Sequence, residues 1–244
     1  HGTGMESNTK YGDSIYFHDN ANTLWVNLFI PSVLTWPGRG ITVRQDTTYP
    51  LAASTRLTVT GSGAIDLRIR IPAWTSGAQV RVNGTLQSIA TTPGTYAVLN
   101  RTWASGDVVD VSLPMAVRRE STPDSATTQA VLVGPVVLAG AYGTTNLSAL
   151  PTLNPATIAP TSTPLEYTTG SVRLLPFYRM HGQRYSVYWA VGSTPPLPAF
   201  VALLTMTGFE VAGDGEIDRG LLIPATLAAI AVGAVLGVVL YLAV

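Results

Sequence analysis

The sequence contains no cysteine. That excludes a disulfide, a thiolate metal site and a cysteine nucleophile within these residues. Lysine is nearly absent too: only Lys10 is present, and the other thirteen of the fourteen basic residues are arginine. Charge of any kind is scarce, at 11% of residues against about 25% in an average soluble domain. Fourteen acidic residues balance fourteen basic ones, so there is no basic surplus to attract nucleic acid, and nucleic-acid binding is not expected. The preference for Arg over Lys, with abundant Ala, Thr, Gly and Pro, points to a bacterial source of high GC content. Histidine is rare and dispersed: His1, His18 and His181 form no metal-ligand pair, and no metal site is expected from them.

What is present in quantity is alternation. Ile65, Leu67, Ile69 and Ile71 alternate with Asp66, Arg68 and Arg70, a period of two that predicts a strand with one buried and one wet face. Pro72, which has no N–H, ends it. Thr75-Ser76-Gly77 reads as a turn, Gln79 to Val82 alternates again, and Asn83-Gly84 signals a tight hairpin. The same style fills the chain. Strands are predicted over Ser14–Phe17, Thr23–Ile30, Ile41–Gln45, Thr55–Thr60, Thr95–Leu99 and Val108–Leu113, with turns rich in Gly, Pro and Asn between them. The fold class expected is therefore all-β, of the sandwich type. Ala130–Ala139 is apolar throughout and reads as one doubly buried strand, bulged at Gly134-Pro135. Leu150–Thr169, with four prolines, reads as a long loop or linker. Before Ser14, Met5–Tyr11 reads as the end of a helix stopped by Gly12.

The other end differs. Leu221–Val244 has 24 residues without a charge, long enough to cross a hydrocarbon core of about 30 Å. Gly233 and Gly237 add a G-x-x-x-G pattern. A transmembrane helix is expected there, with the membrane as a partner and a membrane-associated or extracellular location.

Few residues offer chemistry on their own. Glu6, Asp13 and Asp19 are the carboxylates from which a glycoside-hydrolysing pair would have to come. In a helix end and a turn, such acids ordinarily serve as caps and solvated loops. Trp25, Trp36, Trp74 and Trp103 are candidates for stacking on a sugar ring, although sandwich tryptophans also pack cores. Trp74, just after Pro72, is expected to close one end of a sandwich.

Several separate motifs then stand in a telling order: Gly2-Thr3-Gly4-Met5-Glu6, Lys10 to Phe17, Val26 to Ser32, Leu67 to Trp74, Val82-Asn83-Gly84, Gly134 to Gly140, and Leu175-Pro176-Phe177-Tyr178 with His181 and Arg184-Tyr185. From His1 to about Trp189 the chain resembles the β-L-arabinofuranosidase-type glycoside hydrolases, families 127 and 146 and their relatives. The resemblance implies an α/α-barrel catalytic domain followed by β-sandwich domains. Together with the strand spacing it implies the division 1–14 end of the barrel, 15–117 β-sandwich and 118–190 second sandwich-like domain; beyond the resemblance, composition alone divides the rest into a 191–220 linker and a 221–244 membrane helix. The boundary between the two β domains is expected near Arg118–Thr128. It implies that the cysteine nucleophile, the acid/base glutamate and the zinc ligands of that group correspond to positions before His1, so that zinc belongs to the full-length enzyme and no catalytic residue to this chain. Glu6 matches a motif glutamate at the pocket edge, although Ser7-Asn8 departs from the Asn-His of the pattern. The expected role is the C-terminal, non-catalytic portion of an enzyme acting on plant-type oligosaccharides. The alternative is a membrane-tethered carbohydrate-binding or structural module.

Overall fold

The computed structural model describes residues 10–192. Glu6, the linker and the Leu221–Val244 span lie outside them. Among the described residues, no helix is long and apolar enough to cross a membrane. The chain divides into two compact units between Met115 and Ala116.

The first unit opens with helical backbone at 10–14, in which Gly12 lies inside the last turn rather than stopping it. Ten strands follow: β1 (Tyr16–His18), β2 (Thr23–Val26), β3 (Ser32–Trp36), β4 (Ile41–Asp46), β5 (Ser54–Thr60), β6 (Gly63–Ile71), β7 (Gln79–Val82), β8 (Thr85–Leu86), β9 (Thr95–Trp103) and β10 (Val108–Ser112). They form a four-stranded sheet, β1-β2-β6-β9, and a six-stranded sheet, β3-β4-β5-β10-β7-β8. The expected sandwich is present in this unit. The alternating residues of β6 meet the expectation directly: Ile65, Leu67, Ile69 and Ile71 are buried. They share one core with Leu24, Val26 and Leu99 of their own sheet and with Val43, Leu57, Val59, Val80, Val109 and Val111 of the other. Burying one face of each sheet against the other removes this apolar surface from water, at about 25 cal/mol per Å².

Two features place the outer faces. First, β2 and β6 run parallel, with Thr23 opposite Asp66 and Val26 opposite Ile69. Sequence alternation carries no information on strand direction, so this pairing was not expected. Second, the chain passes from the four-stranded to the six-stranded sheet at Leu28–Pro31, where Gln45 braces it. The Gln45 amide, almost fully buried, donates to the carbonyls of Leu28 (2.9 Å) and Ile30 (2.7 Å). At the far edge, Asn83 (φ 49°) and Gly84 (φ 79°) both take positive φ, the sign pattern of the type I′ turn that their sequence predicts.

The second unit contains β11 (Val117–Thr122), β12 (Ser125–Val133), β13 (Val136–Gly143), β14 (Ile158–Pro160), β15 (Tyr167–Thr169), β16 (Val172–Pro176), β17 (Arg184–Ser186) and β18 (Tyr188–Ala190). All eight are hydrogen-bonded into one sheet rather than two facing ones. The Ser121–Ser125 run is the turn of the β11–β12 hairpin. Two expectations are corrected here. Ala130–Ala139 is not one bulged strand. Val133 pairs with Val136, so Gly134-Pro135 is a two-residue hairpin turn. Gly134 has φ 54° and Pro135 has a fixed negative φ, the sign pattern of a type II′ turn. Leu150–Thr169 is not a free linker: it contributes β14 and β15 to the sheet, and Asn154 caps a 3₁₀ turn at Pro155–Thr157.

Beyond their turn, β12 and β13 separate. The segment from β17 to β18 fills the gap, with β17 pairing to β13 (Gly140 opposite Ser186) and β18 to β12 (Gln129 opposite Trp189). The buried Ser186 hydroxyl donates to the Tyr188 carbonyl at 2.7 Å across the break between them.

Candidate functional site

The outward face of the four-stranded sheet brings together side chains from four strands in three rows. In the middle row, Phe17 stands opposite Trp25, Trp25 opposite Arg68 and Arg68 opposite Val98. Registered partners share a sheet face, so these four side chains lie side by side. Phe17 is 48% exposed and Val98 42%. The Arg68 guanidinium sits over the Trp25 ring, 5.4 Å from its centroid. Its Nε and Nη2 donate to one oxygen of Asp66, at 3.0 and 2.8 Å. On one side of this row lie Thr23, Asp66 and Asn100 in register. On the other side Arg70 stands opposite Tyr96, whose hydroxyl donates to the Asn27 side-chain oxygen. The face is thus a strip of rings and one aliphatic chain between two polar rows.

The outer face of the six-stranded sheet is of another kind. An open groove of about 680 Å³ is lined by Asp46, Thr48, Ser54, Arg56, Gln79 and Asp110, among others. Two ion pairs lie at it, Arg56 with Asp110 at 2.6 Å and Asp46 with the neighbouring Arg44 at 2.8 Å, and Arg81 lines it as well. No aromatic ring lines it.

The structure separates the four candidate tryptophans. Trp103 is corrected: it is fully buried in the core and donates its indole N–H to the Ile65 carbonyl at 3.1 Å, so no sugar can reach it. Trp36 packs against the core, with His18 5.0 Å from its ring centre and Arg39 stacked at 5.8 Å. Trp74 also packs against the core and stacks on Tyr49 at 6.3 Å and 19°, consistent with the closing role expected of it. Trp25 is the one set in the outward strip. Its neighbours Phe17, Val98 and Asn100 escaped the sequence reading. Each belongs to a different strand from Trp25: the β1–β2 pairing brings Phe17 beside it, and the parallel β2–β6 pairing with the β6–β9 register brings Val98 and Asn100 into line.

Of the candidate carboxylates, the two among the described residues, Asp13 and Asp19, each have a local role. Asp13 is an exposed partner of Lys10 at 3.8 Å. Asp19 closes a turn, accepting from the backbone N–H groups of Thr23 (2.9 Å) and Ala21 (3.0 Å). The bonds from Thr23 hold its pKa below the ordinary aspartate value, which favours the anion and disfavours a proton donor. Among the described residues, no three His, Asp or Glu side chains gather as a metal would require. These residues do not fit the zinc site that the resemblance attributes to the whole enzyme.

Comparison with known proteins bears on the first unit most. Residues 23–115 match the family model described as beta-L-arabinofuranosidase, GH127 middle domain. A GH127 β-L-arabinofuranosidase from Geobacillus stearothermophilus T6 is similar in structure, with a TM-score of 0.57 and 25% identity over 74% of this chain and 35% of that one. A structure described as a glycoside hydrolase has a TM-score of 0.61 and 22% identity, covering 73% of this chain and 37% of its own. A GH127 β-arabinofuranosidase has a TM-score of 0.56 and 22% identity, covering 72% and 36%. The chain therefore spans about a third of the length of each solved structure it matches. No curated protein matches its sequence.

Proposed function

We propose that this chain is the β-sandwich portion of a glycoside hydrolase of the β-L-arabinofuranosidase type, and that bond cleavage belongs to a separate catalytic domain of the same enzyme. The observation that carries this reading is the match of residues 23–115 to a middle domain of that family. The matched stretch falls inside the unit that ends at Met115 and takes in β2 to β10. Glycoside hydrolysis needs a proton donor and a nucleophile or activated water on opposite sides of the anomeric carbon. The sequence has no cysteine to serve as the nucleophile of the resembled group. Asp19, with its lowered pKa, is suited to remain ionised in its turn. Zinc, in this reading, is a cofactor of the catalytic domain, and plant-type arabinofuranosides are the substrates of the whole enzyme.

The outward strip of rings supports a second role, carbohydrate binding without catalysis. If Leu221–Val244 is a membrane anchor, that role would be exercised at a membrane surface or outside the cell. The two readings separate in one assay. An aryl β-L-arabinofuranoside is offered, with zinc and reductant, to this chain and to a longer polypeptide that includes the preceding catalytic region. Release of the aryl group by the longer polypeptide alone is the expected result. Turnover by this chain would overturn the proposal, and inactivity of both would leave only the binding role.

A further inference from the structure

We infer that the outward face of the four-stranded sheet is a binding platform for a neutral oligosaccharide, laid across β1, β2, β6 and β9. The argument starts from the width of the apolar strip. Phe17, Trp25 and Val98 form a single row, and Arg68 completes it between Trp25 and Val98. Four strands about 4.8 Å apart make this row roughly 14 Å long, and the polar rows lie about 7 Å to either side. A protein partner wants an apolar patch several side chains deep with its polar rim outside. A sugar ring presents C–H groups on its faces and hydroxyls around its edge. It is matched by rings with hydrogen-bonding groups immediately beside them, which is the pattern here.

The polar groups are specific. Asn100 is exposed and lies next to Val98 on the same face of β9. Nε and Nη2 of Arg68 are committed to Asp66, so Nη1 is the nitrogen left to donate to a hydroxyl. Asp66 is only 7% exposed, and its second oxygen, Oδ1, is buried without a hydrogen-bond partner. That makes the Asp66–Arg68 pair unusual for an outward sheet face, since an unsatisfied buried acceptor is costly. The pair also cancels the one charge set within the ring row. Arg68 therefore has no free positive charge to offer an acidic glycan, and a neutral one fits the row best. The stacking is asymmetric. Arg68 covers one side of Trp25, so Phe17, the most exposed ring of the row, carries the main contact and Trp25 extends it.

The choice of arabinose as the sugar rests on the function proposed above, whereas the platform does not. The experiment is isothermal titration calorimetry on the full chain with three neutral probes: an arabino-, a xylo- and a cello-oligosaccharide. At least one is expected to bind. Phe17→Ala is expected to weaken it by about ten- to a hundredfold, the equivalent of losing a buried aromatic contact. Asn100→Ala, at an exposed position of β9, is expected to weaken it by about fivefold or more. Both variants should melt with the parent, which separates lost contact from lost fold. Binding of xylo- or cello-oligosaccharide but not of the arabino probe would support the platform and count against the arabinofuranosidase reading. Absence of binding by all three, or binding that Phe17→Ala leaves unchanged, would overturn the inference. So would self-association of the parent chain in sedimentation that Phe17→Ala abolishes, because the strip would then serve a protein surface.

Discussion

Asn83 ties a turn to a second strand through one side-chain amide. Its Nδ2 donates to Asp107 at 2.8 Å, and its Oδ1 accepts from the Val108 backbone N–H at 2.8 Å. Asp107, 8% exposed, also accepts from the Ala104 N–H at 2.9 Å. The Asn83 bond is the largest cause of its lowered pKa, followed by the Ala104 N–H and the charge of Arg101. Asn83→Gly keeps the positive φ and loses the side-chain bonds, at a cost of about 1.5–3 kcal/mol in urea unfolding. Asn83→Ala adds the strain of a left-handed backbone, about 1 kcal/mol more. The sign with pH follows from the lowered pKa. The stabilisation is fully present above the unfolded-state pKa of Asp107 and is lost as pH falls through the lower, folded-state value. Measured at pH 7 and again near pH 3, Asn83→Gly should therefore lose less stability than the parent on acidification. Equal losses would show that Asp107 is not the group responsible. The two letters Asn-Gly made the turn legible from sequence. The carboxylate that locks it, 24 positions away, was not.

At the scale of strands, what was legible was local and what was missed was pairing. Ile65 to Ile71 declared both a strand and its buried face, because period-two alternation is a property of neighbouring residues. Trp103 did not declare itself: a tryptophan at a strand end suits a core and a sugar platform equally, and its register opposite Gly63 decides the matter. Gly134-Pro135 was ambiguous in the same way, since a bulge and a II′ turn both use a glycine of positive φ. The proline-rich run before Thr169 looked like linker because strands of three residues leave almost no pattern. One position in the second unit tests the inserted segment directly. A Cβ on Gly140 would lie 2.5–2.6 Å from the Trp189 ring and 3.1 Å from Tyr142. Trp189 is 1% exposed and has nowhere to go. Gly140→Ala is therefore expected to destabilise the unit by about 1–3 kcal/mol, read as a lower melting temperature and a change in near-UV circular dichroism. An unchanged melt would mean that Trp189 does not pack on β13 as described.

At the scale of the chain, the first unit has a core of its own. Among the described residues, the core joining its two sheets runs from Leu24 to Leu113 and draws on none beyond Met115. Residues 10–115 expressed alone are expected to give a β-type far-UV spectrum and a single cooperative unfolding transition. A featureless coil spectrum would refute the independence of this core. The second unit is put together on a different schedule. Its sheet is closed by β17 and β18, which enter between β12 and β13, so the gap stays open until the ribosome has passed Ala190. At about 5–20 residues per second, that is roughly 4–15 seconds after Leu113 has been added. During synthesis the sandwich can therefore be finished while β12 and β13, apolar where they meet at Val131–Leu138, still wait for the segment that separates their other ends.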